Sequence, residues 1–176
     1  MATPLLHSFC GWCLYRGLRG PLKLGGSSSG KLAACLVLAN LPDLDLLPRL
    51  IFGVLSPHGL YTHNLPAAAG VGLAVGFRQG RQWGLMAFIL VMSHLVIDFF
   101  TGLRLGLAPS WGLAWLYPLE GGRWSAPATL FLGTRHGSWE VLFSRANLWA
   151  PLYEGCLMAA LLALAWFRRR PPGLLR

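Results

Sequence analysis

The stretch WGLMAFILVMSHLVIDFFTGL, residues 83–103, decides what kind of protein this is. As a helix rising 1.5 Å per residue it would run for about 30 Å, the thickness of the hydrocarbon core of a bilayer. Only Ser93, His94, Asp98 and Thr101 interrupt it. Working outward, further apolar runs occupy 4–15, 32–55, 60–77 and 148–167. Polar residues do not recur at helical spacing along the long runs, as they would on a water-facing helix. Hydrophobic residues make up 55% of the chain and charged ones 12%, and mean hydropathy is +0.52. A soluble domain carries about 25% charged residues. The expected fold is therefore an all-α integral membrane protein, a bundle of about four to five membrane segments. A re-entrant or interfacial piece is expected near 107–119, inside a long mixed connection at 104–146.

Fifteen Lys and Arg against six acids give a formal charge of +9. In a soluble protein this would raise nucleic acid as a partner. Here the basic residues flank the apolar runs: Arg16, Arg19, Lys23 and Lys31, then Arg78 and Arg81, then the tail beginning Arg168-Arg169-Arg170. Such residues orient a membrane protein and touch anionic headgroups. Membrane lipids are the expected partners and nucleic acid is not; composition leaves the oligomeric state open. The same rule places 16–31, 78–81 and the tail 168–176 in the cytoplasm. The turn near His58 and the 104–146 connection then face outward. That connection carries arginines, but it is long enough for the rule to bind weakly. The whole chain, 1–176, reads as one membrane domain. Its first 15 residues lack a basic leader region and a small-residue cleavage site, so they are expected to stay in place. Cys10 and Cys13 form a C-x-x-C without a second pair or a βαβ context, and read as two small residues on a helix face.

Three of the six acids, Asp43, Asp45 and Asp98, lie within apolar segments. An ionisable group at membrane depth costs at least about 2.5–3.5 kcal/mol on insertion scales. His94 and Asp98, at i and i+4, share one helix face. That pair alone fits an interhelical hydrogen bond as well as two metal ligands. Pro42 disfavours helix at Leu41, so the chain around Asp43 and Asp45 is expected to unwind and aim both carboxylates at one point. Capping by Asp43 would explain one carboxylate better than two. His63 is expected at a helix start with Thr62 as cap. In the assigned orientation His7, Asp45, His58, His63, His94 and Asp98 all reach the outer half of one bundle. A mixed His/Asp set suits zinc first and manganese second, and six or so ligands suffice for one or two ions. His136 and Glu140 form a second pair at i and i+4, either an exposed loop pair or a cap supplying a general acid. Glu154 is a buried acid expected to pair with Arg104 or Arg145, or to be protonated.

Four elements in order carry a resemblance. They are Thr3 to His7, then Leu41-Pro42-Asp43-Leu44-Asp45, then His58 with Thr62-His63, then Ser93-His94 to Asp98. Together they resemble the T-x-x-H-like, P-D-x-D, H-R-G-x-T-H-S and S-H-x-x-x-D elements of the YdjM-like membrane-bound metal-dependent hydrolases, over roughly residues 1–120. The resemblance implies a multi-span helical protein with metal ligands His7, Asp43, Asp45, His63, His94 and Asp98, and His58 nearby. Gly59 and Asn64 stand where the family has Arg and Ser. If that Arg grips a substrate anion, Arg104 or Arg49 is expected to stand in.

The function expected first is a membrane-bound metal-dependent hydrolase. It would act on an ester or phosphoester, with an amphiphilic, lipid-like substrate suited to the location. Asp45, His58 and Glu140 are its candidate catalytic residues. The expected location is the bacterial plasma (inner) membrane, multi-pass, with the site toward the outer face. Intramembrane His and Asp would also serve a small transporter or ion path. A non-catalytic membrane protein with a residual metal site is the third reading.

Overall fold

The computed structural model describes residues 1–26, 28–53, 59–103 and 105–169. Regular structure among them is helical, with β pairing limited to isolated bridges. Helix α1 (Pro4–Leu18) begins on a proline at its first turn, where the missing N–H costs nothing. After the basic connector, Ser28 caps α2 (Ser29–Asn40) by accepting a hydrogen bond from Lys31 N. Pro42 ends α2 as expected: the chain tightens into a 3-10 segment, Leu41–Leu46, then continues as α3 (Leu47–Phe52) until Gly53 turns left-handed.

Helices α4 (Leu65–Gln79) and α5 (Arg81–Phe99) form a tight hairpin turned by Gly80. Glycines let the two backbones touch. A Cβ on Gly84 would lie 2.6 Å from the Cα of Gly76 and 2.7 Å from the carbonyl of Gly72. Helix α5 is the spine of the bundle. Its Met86 and Leu90 pack with Tyr15 of α1 and with Cys35 and Ala39 of α2, while Val91 and Leu95 pack with Ala68 of α4.

Residues 105–138 cross one end of the bundle as a turn-rich cap, pinned by the bridges Thr101–Phe131, Gly102–Pro109 and Leu113–Trp124. The piece expected near 107–119 lies in this cap as turns rather than helix. A short α6 (Trp139–Leu142) and a 3-10 turn lead into α7 (Trp149–Arg169). Cys10 and Cys13 are free thiols on α1.

Among the described residues, two segments are long and apolar enough to cross a membrane, Arg81–Phe99 and Arg145–Arg168. Only 17% of the second one's apolar window is buried by protein, so Leu161, Leu164, Trp166 and Phe167 face outward. Helices α1, α2 and α4 have 15, 12 and 15 residues, short of the roughly 20 a perpendicular span requires.

Candidate metal centre

Each helix around α5 delivers one polar group to the same end of the bundle. His7 sits one turn into α1, Asp43 follows the C-terminus of α2, His63 precedes α4, and Asp98 closes α5. The basic turns at 16–31 and 78–81 lie at the opposite ends of these helices.

Four ligand atoms converge. His63 Nε2 lies 3.3 Å from Asp43 Oδ1 and 3.3 Å from Asp98 Oδ2. His94 Nε2 lies 3.3 Å from each of the same two oxygens, and the two imidazole nitrogens are 3.2 Å apart. No two ligand atoms of the group are more than 4.8 Å apart. Five of the six separations are 3.2–3.3 Å, and a tetrahedron with edges of 3.3 Å has its centre about 2.0 Å from each corner, the length of a zinc–imidazole bond.

The protons agree with that reading. Where α2 passes into the 3-10 segment, Leu41 N–H serves the carbonyl of Leu38, but Pro42 has no N–H to offer the carbonyls before it. His94 Nδ1 donates to one of them, Ala39, at 2.8 Å. Its Nε2 therefore presents a lone pair to the centre. On His63 the same result comes from a relay. Thr62 Oγ1 donates to Asp45 Oδ2 at 2.7 Å, so it accepts from His63 Nδ1 at 2.9 Å. Two imidazole lone pairs and two carboxylates thus face one another across about 3 Å. Burying such a set is costly unless a cation is shared among them. Asp43 makes the same point: both its oxygens are buried without a hydrogen-bond partner. The donor set fits a divalent metal.

The expected ligands separate into layers. Asp43, His63, His94 and Asp98 form the group. Asp45 stands behind His63, where Oδ2 also accepts from Gly59 N at 3.0 Å. The chain around Pro42 is thus a tightened 3-10 helix and not unwound, and it aims Asp43 and Asp45 at opposite sides of one imidazole instead of at one point. His7 flanks the group: its ring stacks on His94 with centroids 3.7 Å apart, and its Nε2 is 3.5 Å from Asp98 Oδ1. Both His7 nitrogens are buried without a hydrogen-bond partner. Glu140 is exposed on α6, while His136 lines the cavity over the site. His58 and Arg104 lie outside the described residues.

Two expectations change. The cap of α4 is Asn64, accepting from Ala67 N at 2.7 Å, not Thr62, which serves His63. Asn and Ser are both good caps, so the departure at 64 keeps the helix start intact. Glu154 is fully buried, and its partner is not an arginine but Thr3, whose N and Oγ1 both donate to it. Sequence reasoning had no signal for this contact between the two ends of the chain. Thr3 and Glu154 are common residue types, and only the packing of α7 on α1 brings them together.

Four motifs in order on one bundle end are now matched by their geometry. The family model for the YdjM inner membrane protein matches residues 1–171. The chain belongs to the YdjM inner membrane protein family. The family's membrane setting agrees with the exposed apolar face of α7, and the match runs through the cap and α7, well past the four motifs. No curated protein and no solved structure matches the chain.

The relay behind His63 gives a first expected result. Hydrogen-bonded partners behind a metal ligand typically contribute 10–100-fold in metal affinity. Asp45→Asn should therefore weaken zinc binding by about 10–100-fold, measured by competition with a chromophoric chelator, and leave the metal count at saturation unchanged. Unaltered affinity would place Asp45 outside the support of the site.

Proposed function

We propose that this YdjM-family chain is a membrane-bound metal-dependent hydrolase acting on an ester or phosphoester. The observation that carries the reading is the convergence of Asp43 Oδ1, His63 Nε2, His94 Nε2 and Asp98 Oδ2. These four residues would hold the ion, zinc before manganese. His7 and Asp98 Oδ1 offer donors for a second ion beside it. When bound, a divalent ion supplies Lewis-acid polarisation of the scissile group and lowers the pKa of water.

The chain's own residues have distinct tasks. Asp43 Oδ2, without a hydrogen-bond partner, is assigned as acceptor of the proton from the attacking water. Asp45 and Thr62 hold His63 in one tautomer and one orientation. Ala39 does the same for His94. The cap at 105–138 covers the centre and limits access by bulk water.

The setting we propose is the inner membrane, multi-pass, with the site toward the outer face. Eight of the fifteen basic residues, Arg16, Arg19, Lys23, Lys31, Arg78, Arg81, Arg168 and Arg169, lie at or beyond the helix ends opposite the site, where a cytoplasmic face would place them. The short helices α1, α2 and α4 then cross as part of a bundle whose lipid partner covers their outer sides.

The test is metal-dependent turnover in detergent or liposomes, against a panel of carboxylic esters and phosphoesters. Product should form with zinc, stop with a chelator and resume when zinc is restored. Zinc-loaded protein that turns over no member of the panel, yet conducts ions across liposomes, would overturn the hydrolase reading in favour of an ion path.

A further inference from the structure

A cavity of about 750 Å³ lies between the cap and the ligand end of the bundle, and two of the four ligands, His63 and Asp98, line it. Three arginines from separate parts of the chain also line it: Arg49 of α3, Arg123 of the cap and Arg135 before α6. Their positions are built. Arg123 Nη1 donates to the carbonyl of Gly112 at 3.2 Å, and its backbone is held by the adjacent Leu113–Trp124 bridge. The backbone of Arg135 is clamped by Asn147, which accepts from Arg135 N at 2.9 Å and donates to its carbonyl at 2.7 Å. Asn147 itself is buried.

Among the described residues, none of these three guanidinium groups is ion-paired with a carboxylate; every ion pair there is between a histidine and an aspartate. Among the residues that line the cavity these three cations face one carboxylate, Asp98, and an excess of one sign of charge focuses its field on ligands of the other sign. Guanidinium forks match phosphate oxygens in pairs, with a planarity that an ammonium lacks. A carboxylic ester is neutral and would leave all three cations uncompensated. Trp111, Leu113 and Val141 give the same cavity an apolar side.

We propose that this cavity selects a phosphate-bearing ligand, a phosphoester whose phosphate is gripped by Arg49, Arg123 and Arg135 beside the metal centre. The proposal names the substrate class of the hydrolase reading, and rests on that reading only for the chemical step after binding. The phosphate could be carried by a lipid headgroup or by a water-soluble phosphoester; the chemistry of the grip is the same.

Equilibrium binding of inorganic phosphate to zinc-loaded, detergent-purified protein tests it. The R49Q/R123Q/R135Q protein should bind phosphate at least about tenfold more weakly at unchanged zinc content, since each lost charge-assisted pair removes strong donors. If that triple variant does not fold, the single variants serve, each expected to weaken binding severalfold. Competition separates the sources: phosphatidic acid in mixed micelles displacing phosphate more effectively than glycerol phosphate assigns a lipid, and the reverse order assigns a soluble ester. Either order supports the grip. Equal phosphate affinity in wild type and variants, or none in wild type, overturns it. Binding without turnover would sink the hydrolase reading alone; turnover with arginine-independent binding would sink this one alone.

Discussion

Detergent-purified His94→Ala protein is expected to carry almost no zinc where the wild type carries about one ion per tetrahedral site. The size of the effect comes from the ligand count. Structural zinc sites bind with roughly 10–16 kcal/mol, so one of four ligands accounts for about 3 kcal/mol, or roughly 100–1,000-fold in affinity. His94 stands above that average for three reasons. It touches both carboxylates of the group, its tautomer is fixed by Ala39, and its ring is the platform on which His7 stacks. The substitution should not prevent insertion, because alanine leaves α5 as apolar as before, and Met86, Leu90, Val91, Leu95 and Ile97 still pack it against α1, α2 and α4. Asp43→Ala serves as a second probe, removing a ligand that contributes nothing to helix packing. Elemental analysis of both proteins against wild type decides the matter. Zinc content equal to wild type in both would mean that the convergence is a hydrogen-bonded knot of His and Asp, and the metal centre would be withdrawn.

Much of this site was legible in the sequence because membrane depth makes polar residues expensive. His94 and Asp98 stood out against an otherwise apolar run, and Pro42 announced the end of α2, where a 3-10 helix takes Asp43 and Asp45 off α-helical spacing. Legibility ended where the chain folds back on itself. The i, i+2 spacing shows that two aspartates can be aimed independently. It cannot show that one faces the ion site while the other holds Thr62 and, through it, His63. The role of Thr62 was hidden by an equally good local use, a helix cap, which Asn64 takes instead. The fold was legible as helical and apolar. The division into spans was less so, because hydropathy cannot tell a residue buried against protein from one facing lipid. The run at 60–77 shows this. Its glycines at 72 and 76 are used against Gly84 inside the hairpin, while Leu73 and Phe77 on the same helix are exposed.

Glu154→Ala should give the largest loss of thermal stability, and the reason lies in how little else holds α7. That helix leaves most of its apolar surface outside the bundle, yet Glu154 is fully buried in it. Its carboxylate accepts from Thr3 N at 3.0 Å and from Thr3 Oγ1. Thr3 N lies just before the first turn of α1, where the helix has no carbonyl to offer it. Removing the acceptor strands two donors, at about 1–3 kcal/mol each, or roughly 2–6 kcal/mol together. For a chain of this size that corresponds to roughly 5–20 °C in melting temperature. The loss should also reach the metal. Ala2 N, next along the same segment, donates to Asp98 Oδ1 at 2.8 Å, and His7 comes one turn later. Zinc affinity in Glu154→Ala should fall by about tenfold, the lower end of what outlying support contributes. Glu154→Gln keeps an acceptor and should recover most of both properties, which a simple volume effect would not separate so cleanly from alanine. Thr3→Val should cost about half as much as Glu154→Ala, because it removes only the hydroxyl bond. If Glu154→Ala melts with wild type and binds zinc as tightly, α7 is not the anchor of the N-terminal segment, and His7 is positioned instead by the bond from Ala2 N to Asp98 and by its stacking on His94.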